Sequence, residues 1–109
     1  MMEPFDLVLV DGRFRAACFL EVVRHYVVHQ WRSPTILIHD YMNRILPGWN
    51  GNHSKPWYND TVLQKYAKRF QNADTLAAFY IQPSTYNNSK LMADLEKDIS
   101  DVKYIASRL

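Results

Sequence analysis

The sequence predicts an α/β fold built around a mostly parallel sheet. Two short runs, Phe5–Val10 and Thr35–Ile38, are apolar on both faces, as strands are when both sides of a parallel sheet are covered. Between them, apolar residues recur at three- and four-residue spacing. Strand, helix and strand thus follow within about 35 residues, a βαβ unit expected to be right-handed. A third strand-like run and a last amphipathic helix complete the order β-α-β-loop-α-β-α.

Each element has its own signal. Phe5–Val10 stops at Asp11-Gly12, a strand running into a turn. Residues 13–31 read as a helix with Ala16, Phe19, Leu20, Val23 and Val27 on one stripe, widened by Cys18, Val22 and Tyr26. A stripe that wide suits a helix packed on a sheet. Ser33-Pro34 interrupts the pattern before the second strand. Residues 42–57 carry two glycines and two prolines and read as a long loop, a kind usually functional or disordered. From Asn59, Val62, Leu63, Tyr66 and Phe70 share a helical face. Thr75–Ile81 is the third strand. After a turn at residues 83–88, the final helix spans residues 89–106 with Leu91, Leu95, Ile99 and Val102 on its apolar stripe.

Composition narrows the class. A chain of 109 residues makes one domain at most. The net charge of +2 comes from scattered residues with no basic block, so no nucleic-acid footprint is drawn. No apolar run approaches the ~20 residues that a membrane-spanning helix needs. The first residues, "MMEPFDLVLV", are acidic and strand-like and do not resemble a secretory signal. Cys18 is the only cysteine, so no internal disulfide forms. Inside an apolar helical pattern it reads as a small buried hydrophobe, and a reducing, cytoplasmic setting is expected.

A three-stranded parallel sheet covered on both faces is thin for a complete domain. The sheet is expected to be part of a larger one. Its open edge invites self-association or pairing with a missing half.

The polar residues gather at strand ends. In open α/β sheets ligands bind beyond the carboxyl ends of the strands. Asp11 stands at one such end, His39 and Asp40 at another. If the strands are neighbours, those ends lie roughly 5 Å apart; one strand between them makes it roughly 10 Å. Two carboxylates and an imidazole at that spacing can bind a divalent cation or supply a general base beside a carboxylate. The same residues also suit plain capping: Asp11 precedes a helix, and Asp40 can cap a short turn. Arg13 and Arg15 oppose the helix dipole and gain from an anionic partner or from solvent. His25 and His29 have metal-ligand spacing but no third ligand, and read as helix-end surface residues. Trp49, His53, Lys55 and Trp57 sit in the long loop, either over a ligand or as anchors on the core.

"FDLVLVDGRFRAACFLE" followed by "TILIHDYMNR" resembles the second half of class I, Rossmann-like, S-adenosylmethionine-dependent methyltransferases, nearest to O-methyltransferase-like members. "WYNDTVLQKYAKRFQNADTLAAFYI" resembles the helix and strand that follow. The resemblance covers about residues 5–81, leaving 82–109 as a turn and C-terminal helix. It implies that Asp11 ends the fourth strand, near the transferred methyl group or a metal. It places His39 and Asp40 at the end of the fifth strand, on the acceptor or metal side. It sets Arg44 and Tyr58 over a small-molecule acceptor, and Arg13, whose charge gains from an anionic partner, is a further candidate for binding it. Asp11, His39 and Asp40 are then the candidate catalytic residues, with Asp11 and Asp40 the candidate ligands of a divalent metal. S-adenosylmethionine is the implied cofactor. The glycine-rich turn that holds it in the family has no counterpart among Gly12, Gly48 and Gly51. The N-terminal cofactor-binding half is thus expected to be absent, and this chain alone to bind the cofactor weakly or not at all.

Overall fold

The structure, a computed structural model, describes residues 5–10, 15–39 and 60–107. Among these, β1 (Leu7–Val10) leads through α1 (Arg15–Val28) to β2 (Thr35–Ile38). A one-turn helix α2 (Asp60–Leu63) precedes the hairpin β3 (Ala67–Ala73) and β4 (Leu76–Ile81). A 3-10 turn (Pro83–Thr85) and α3 (Ser89–Ser107) follow. The α/β class is as expected, and β1, α1, β2 and α3 fall where the sequence places them.

The sheet differs from the expected one. Among the described residues it has four strands in the order β1-β2-β4-β3. Of the three strand pairings only β1–β2 is parallel, with Leu7 opposite Thr35 and Val10 opposite Ile38. β4 runs antiparallel to both β2 and β3, so the sheet is mixed rather than mostly parallel. The additional strand is β3, which the helical spacing of Leu63, Tyr66 and Phe70 concealed. After Leu63 the chain turns, and from Ala67 it pairs with β4. The ladder bonds outweigh a weak periodicity that no long helix sustains.

One face of the sheet carries the core. Phe19, Leu20, Val23 and Val27 from α1 and Leu95 and Ile99 from α3 are buried with Ile36, Ile38, Ala77, Phe79 and Ile81. Phe19 meets Phe79 edge-on at 4.9 Å between ring centres. Each fully buried large apolar side chain contributes about 1.5–3 kcal/mol. Cys18 is exposed, not buried as expected, because it falls on the outer flank of α1 beside the buried Ala17 and Phe19.

Polar pins hold the connections. The Tyr66 carbonyl accepts from the Gln82 N–H at 2.9 Å and from Thr85 Oγ1 at 2.9 Å. Ser33 Oγ accepts from the Ile81 N–H at 2.8 Å, tying the entry of β2 to the end of β4. α1 closes with the Trp31 N–H on the Tyr26 carbonyl and the Gln30 N–H on that of Val27, and Gln30 takes φ 55°. That pair of bonds around a left-handed residue is a Schellman stop, and the Trp31 ring against Tyr26 at 5.4 Å is its apolar contact.

Candidate functional site

The carboxyl ends of β1 and β2 are the candidate site. Leu7–Val10 and Thr35–Ile38 become neighbouring strands because both are apolar on two faces and joined by one helix. They run in step, so they end together. The N–H of His39, the first residue past β2, donates to the Val10 carbonyl at 3.4 Å. His39 itself is exposed at this sheet end. The two strand ends are therefore adjacent. Asp11, Arg13, Asp40, Arg44 and Tyr58 lie outside the described residues, as do Trp49, His53, Lys55 and Trp57.

The antiparallel direction of β4 brings further polar residues to this end. Ala77 pairs with Ile38, so β4 begins where β2 finishes. The two-residue turn Asp74-Thr75, between the paired Ala73 and Leu76, thus sits at the same sheet end as His39. Asp74 is exposed and takes φ 56°. Sequence reasoning missed both residues, because their placement depends on the direction of β4. The run Asn72-Ala73-Asp74-Thr75 carries a turn signal, though one without glycine.

Other surface features lack this convergence. His25 and His29 stand 4.4 Å apart between ring centres, and His29 stacks on Trp31 at 4.5 Å. His29 Nδ1 lies 2.8 Å from the His25 carbonyl, closing the end of α1. Both are exposed helix-end residues, as the sequence suggested. A shallow trough of about 210 Å³ on the open sheet face is lined by Thr35, Leu37, Phe70, Gln71, Ala73, Leu76 and Ala78, none of them ionisable. Among the described residues no group of three or more His, Cys, Asp or Glu is placed to hold a metal ion. No described helix is long and apolar enough to cross a membrane.

No family model, no curated protein and no solved structure matches this chain.

Proposed function

We infer that the chain is the acceptor-side part of a class I methyltransferase-like domain, acting in the cytoplasm. The observation that carries this reading is the in-step parallel pairing of β1 and β2, which sets the residue after Ile38 against Val10. Side-by-side strand ends are where an open α/β sheet presents its ligands. The antiparallel β4 is compatible, since doubly wound sheets often carry an antiparallel strand towards one edge. Asp11, His39 and Asp40 would then supply acid–base or metal-binding groups. Arg13, Arg44 and Tyr58 would border a small-molecule acceptor. The donor side, with its glycine turn, must come from other polypeptide.

Calorimetry with S-adenosylmethionine tests this on the present chain and on a version extended upstream. No heat from the chain and a clear binding isotherm from the extended protein are expected. Absence of binding by the extended protein defeats the reading.

A second reading is a non-catalytic interaction module, favoured by the open edge of β1. Leu7 and Leu9 of that strand are exposed together with Phe5 just before it. Contiguous exposed apolar residues at a sheet edge mark a pairing surface. A third is a metal-dependent hydrolase or transferase on Asp11, His39 and Asp40.

A further inference from the structure

The end of α1 carries a histidine pair that the strand-end site does not use. His25 and His29 stand one helical turn apart, and both are exposed. α1 runs back from the end of β1 to the entry of the parallel β2. The pair therefore sits at the opposite end of the sheet from His39.

The His29 ring is held in one orientation and one tautomer. Its Nδ1 lies 2.8 Å from the His25 carbonyl, which can only accept. In the neutral ring Nδ1 therefore carries the hydrogen, and Nε2 keeps its lone pair. A ring N–H on a backbone carbonyl is how metal-binding histidines are oriented. Trp31 backs the ring, stacked on it at 4.5 Å with 22° between the planes. Trp31 is itself pinned: its N–H donates to the Tyr26 carbonyl at 2.9 Å, and its carbonyl accepts from the Tyr86 hydroxyl at 2.6 Å. The same indole meets His25 edge-on at 5.1 Å.

The spacing of the two rings fits a chelate. Histidines at i and i+4 of a helix share one face and can hold one ion between them. With a metal–nitrogen distance of about 2.0–2.1 Å, each ring centre lies about 3 Å from the ion, so two rings at a right angle around it have centres about 4.4 Å apart. The centres of His25 and His29 are 4.4 Å apart, and the rings are tilted at 51° rather than stacked. A turn of the exposed His25 ring is all that is needed to aim its nitrogen at the ion. Glu21, one turn earlier on the same face, is taken by Arg24 at 2.7 Å. Among the described residues no third ligand joins the pair.

We propose that His25 and His29 form a two-histidine site for a divalent transition ion, Cu²⁺ most tightly, with water in the remaining positions. Imidazole nitrogens suit copper, nickel and zinc, and a right-angle arrangement with open positions is the tetragonal geometry of Cu²⁺. The usual affinity order also puts Cu²⁺ above Ni²⁺ and Zn²⁺. The ion ties the last turn of α1 to the residue just past it. The unfolded chain does not hold the two rings one turn apart, so binding favours the folded state. This site is separate from the candidate metal ligands Asp11 and Asp40, in its place and in its nitrogen donors.

Titration of the full chain with Cu²⁺ tests the site, read by Trp31 emission and by thermal unfolding. Trp49→Phe with Trp57→Phe leaves Trp31 as the only tryptophan. Cu²⁺ should quench its emission at one equivalent and raise the unfolding midpoint, and EDTA should reverse both. Zn²⁺ should compete, but bind more weakly. His25→Ala and His29→Ala should each weaken binding roughly tenfold or more, since losing even an outer partner of a ligand costs about 10–100-fold. His53→Ala should leave binding unchanged. If the double phenylalanine variant fails to fold, calorimetry on the wild type and the histidine variants decides. Full binding in His25→Ala overturns the site. An ion lost in His39→Ala and kept in His25→Ala sits at the strand ends and overturns it as well. A midpoint that Cu²⁺ leaves unmoved does the same, and tighter binding of Zn²⁺ overturns the choice of ion.

Discussion

The backbone N–H of His39 donates to the carbonyl of Val10 at 3.4 Å, the last rung between β1 and β2. It is a main-chain contact, so it holds the two strand ends together whatever side chain residue 39 carries. His39→Pro removes the donor and is expected to cost about 1 kcal/mol. His39→Ala keeps the donor and should cost less than His39→Pro. Urea midpoints compare the two. Equal losses would mean that the imidazole, not the backbone bond, secures the strand end.

Tyr66 and Asp98 join the end of α2 to α3. Tyr66 is fully buried and donates its hydroxyl to Asp98, which also accepts from Lys65 Nζ at 2.9 Å. Tyr66→Phe keeps the packing and deletes the bond, and a hydrogen bond to a charged group contributes about 1.5–3 kcal/mol. The loss should appear in thermal unfolding at neutral pH. A cost near zero would show that Lys65 and water satisfy Asp98 unaided.

The same tyrosine predicts an alkaline limit. Burial, the bond to Asp98 and the negative charges of Asp98 and Asp94 push its hydroxyl far above the usual 10.0. Burial raises Tyr26 and Tyr86 as well. A pKa raised on folding means that the native state holds protons which the unfolded chain releases. The stabilisation is therefore complete below about pH 10 and is lost as pH climbs from there toward the folded values. Denaturant midpoints across the alkaline range should fall, and fall less steeply in Tyr66→Phe. An identical slope in the variant would remove Tyr66 as the cause.

The elements with a period of their own were legible from sequence. β1 and β2 are apolar on both faces, and α1 and α3 carry clean stripes. That the strand ends at Val10 and His39 are neighbours was left open by those elements and comes from the pairing of β1 with β2. β3 was not legible, because its identity comes from pairing with β4 rather than from local pattern. Tyr66 and Phe70 mimic helical spacing, yet one is buried at a turn and the other is about half exposed on a strand. The turn at Asp74-Thr75 lacks the glycine that flags a tight hairpin. Asp74 therefore joined the candidate site only once the direction of β4 was known. Cys18 shows the limit of counting apolar neighbours, since one step around the helix separates it from the core.

Gln30 closes α1 with φ 55° and spends its side chain on two carbonyls, Val27 at 3.0 Å and Tyr86 at 3.2 Å. Glycine at this position relieves the left-handed backbone but gives up both bonds. Gln30→Gly is therefore expected to cost less than the two bonds alone, about 1–3 kcal/mol, by the about 0.5–1 kcal/mol that glycine relieves. Gln30→Val gives up the bonds and adds a β-branched residue at positive φ, at a cost of about 2–3 kcal/mol. Chemical denaturation of the pair checks the ordering. Similar losses in both would place the stability in the side-chain bonds alone.

Asp74 offers the cleaner backbone test, at the sheet end shared with His39. It is exposed with φ 56°, in a two-residue turn between the paired Ala73 and Leu76. Tight hairpin turns of this kind favour glycine or asparagine, and aspartate is tolerated at some strain. Asp74→Gly should raise stability by about 0.5 kcal/mol, while Asp74→Val should lower it by about 1–2 kcal/mol. The opposite signs matter more than the sizes. They separate the backbone from the carboxylate, because both variants remove the same charge. If both lower stability alike, Asp74 is held by its side chain, and its carboxylate becomes a participant in the strand-end site rather than a turn residue beside it.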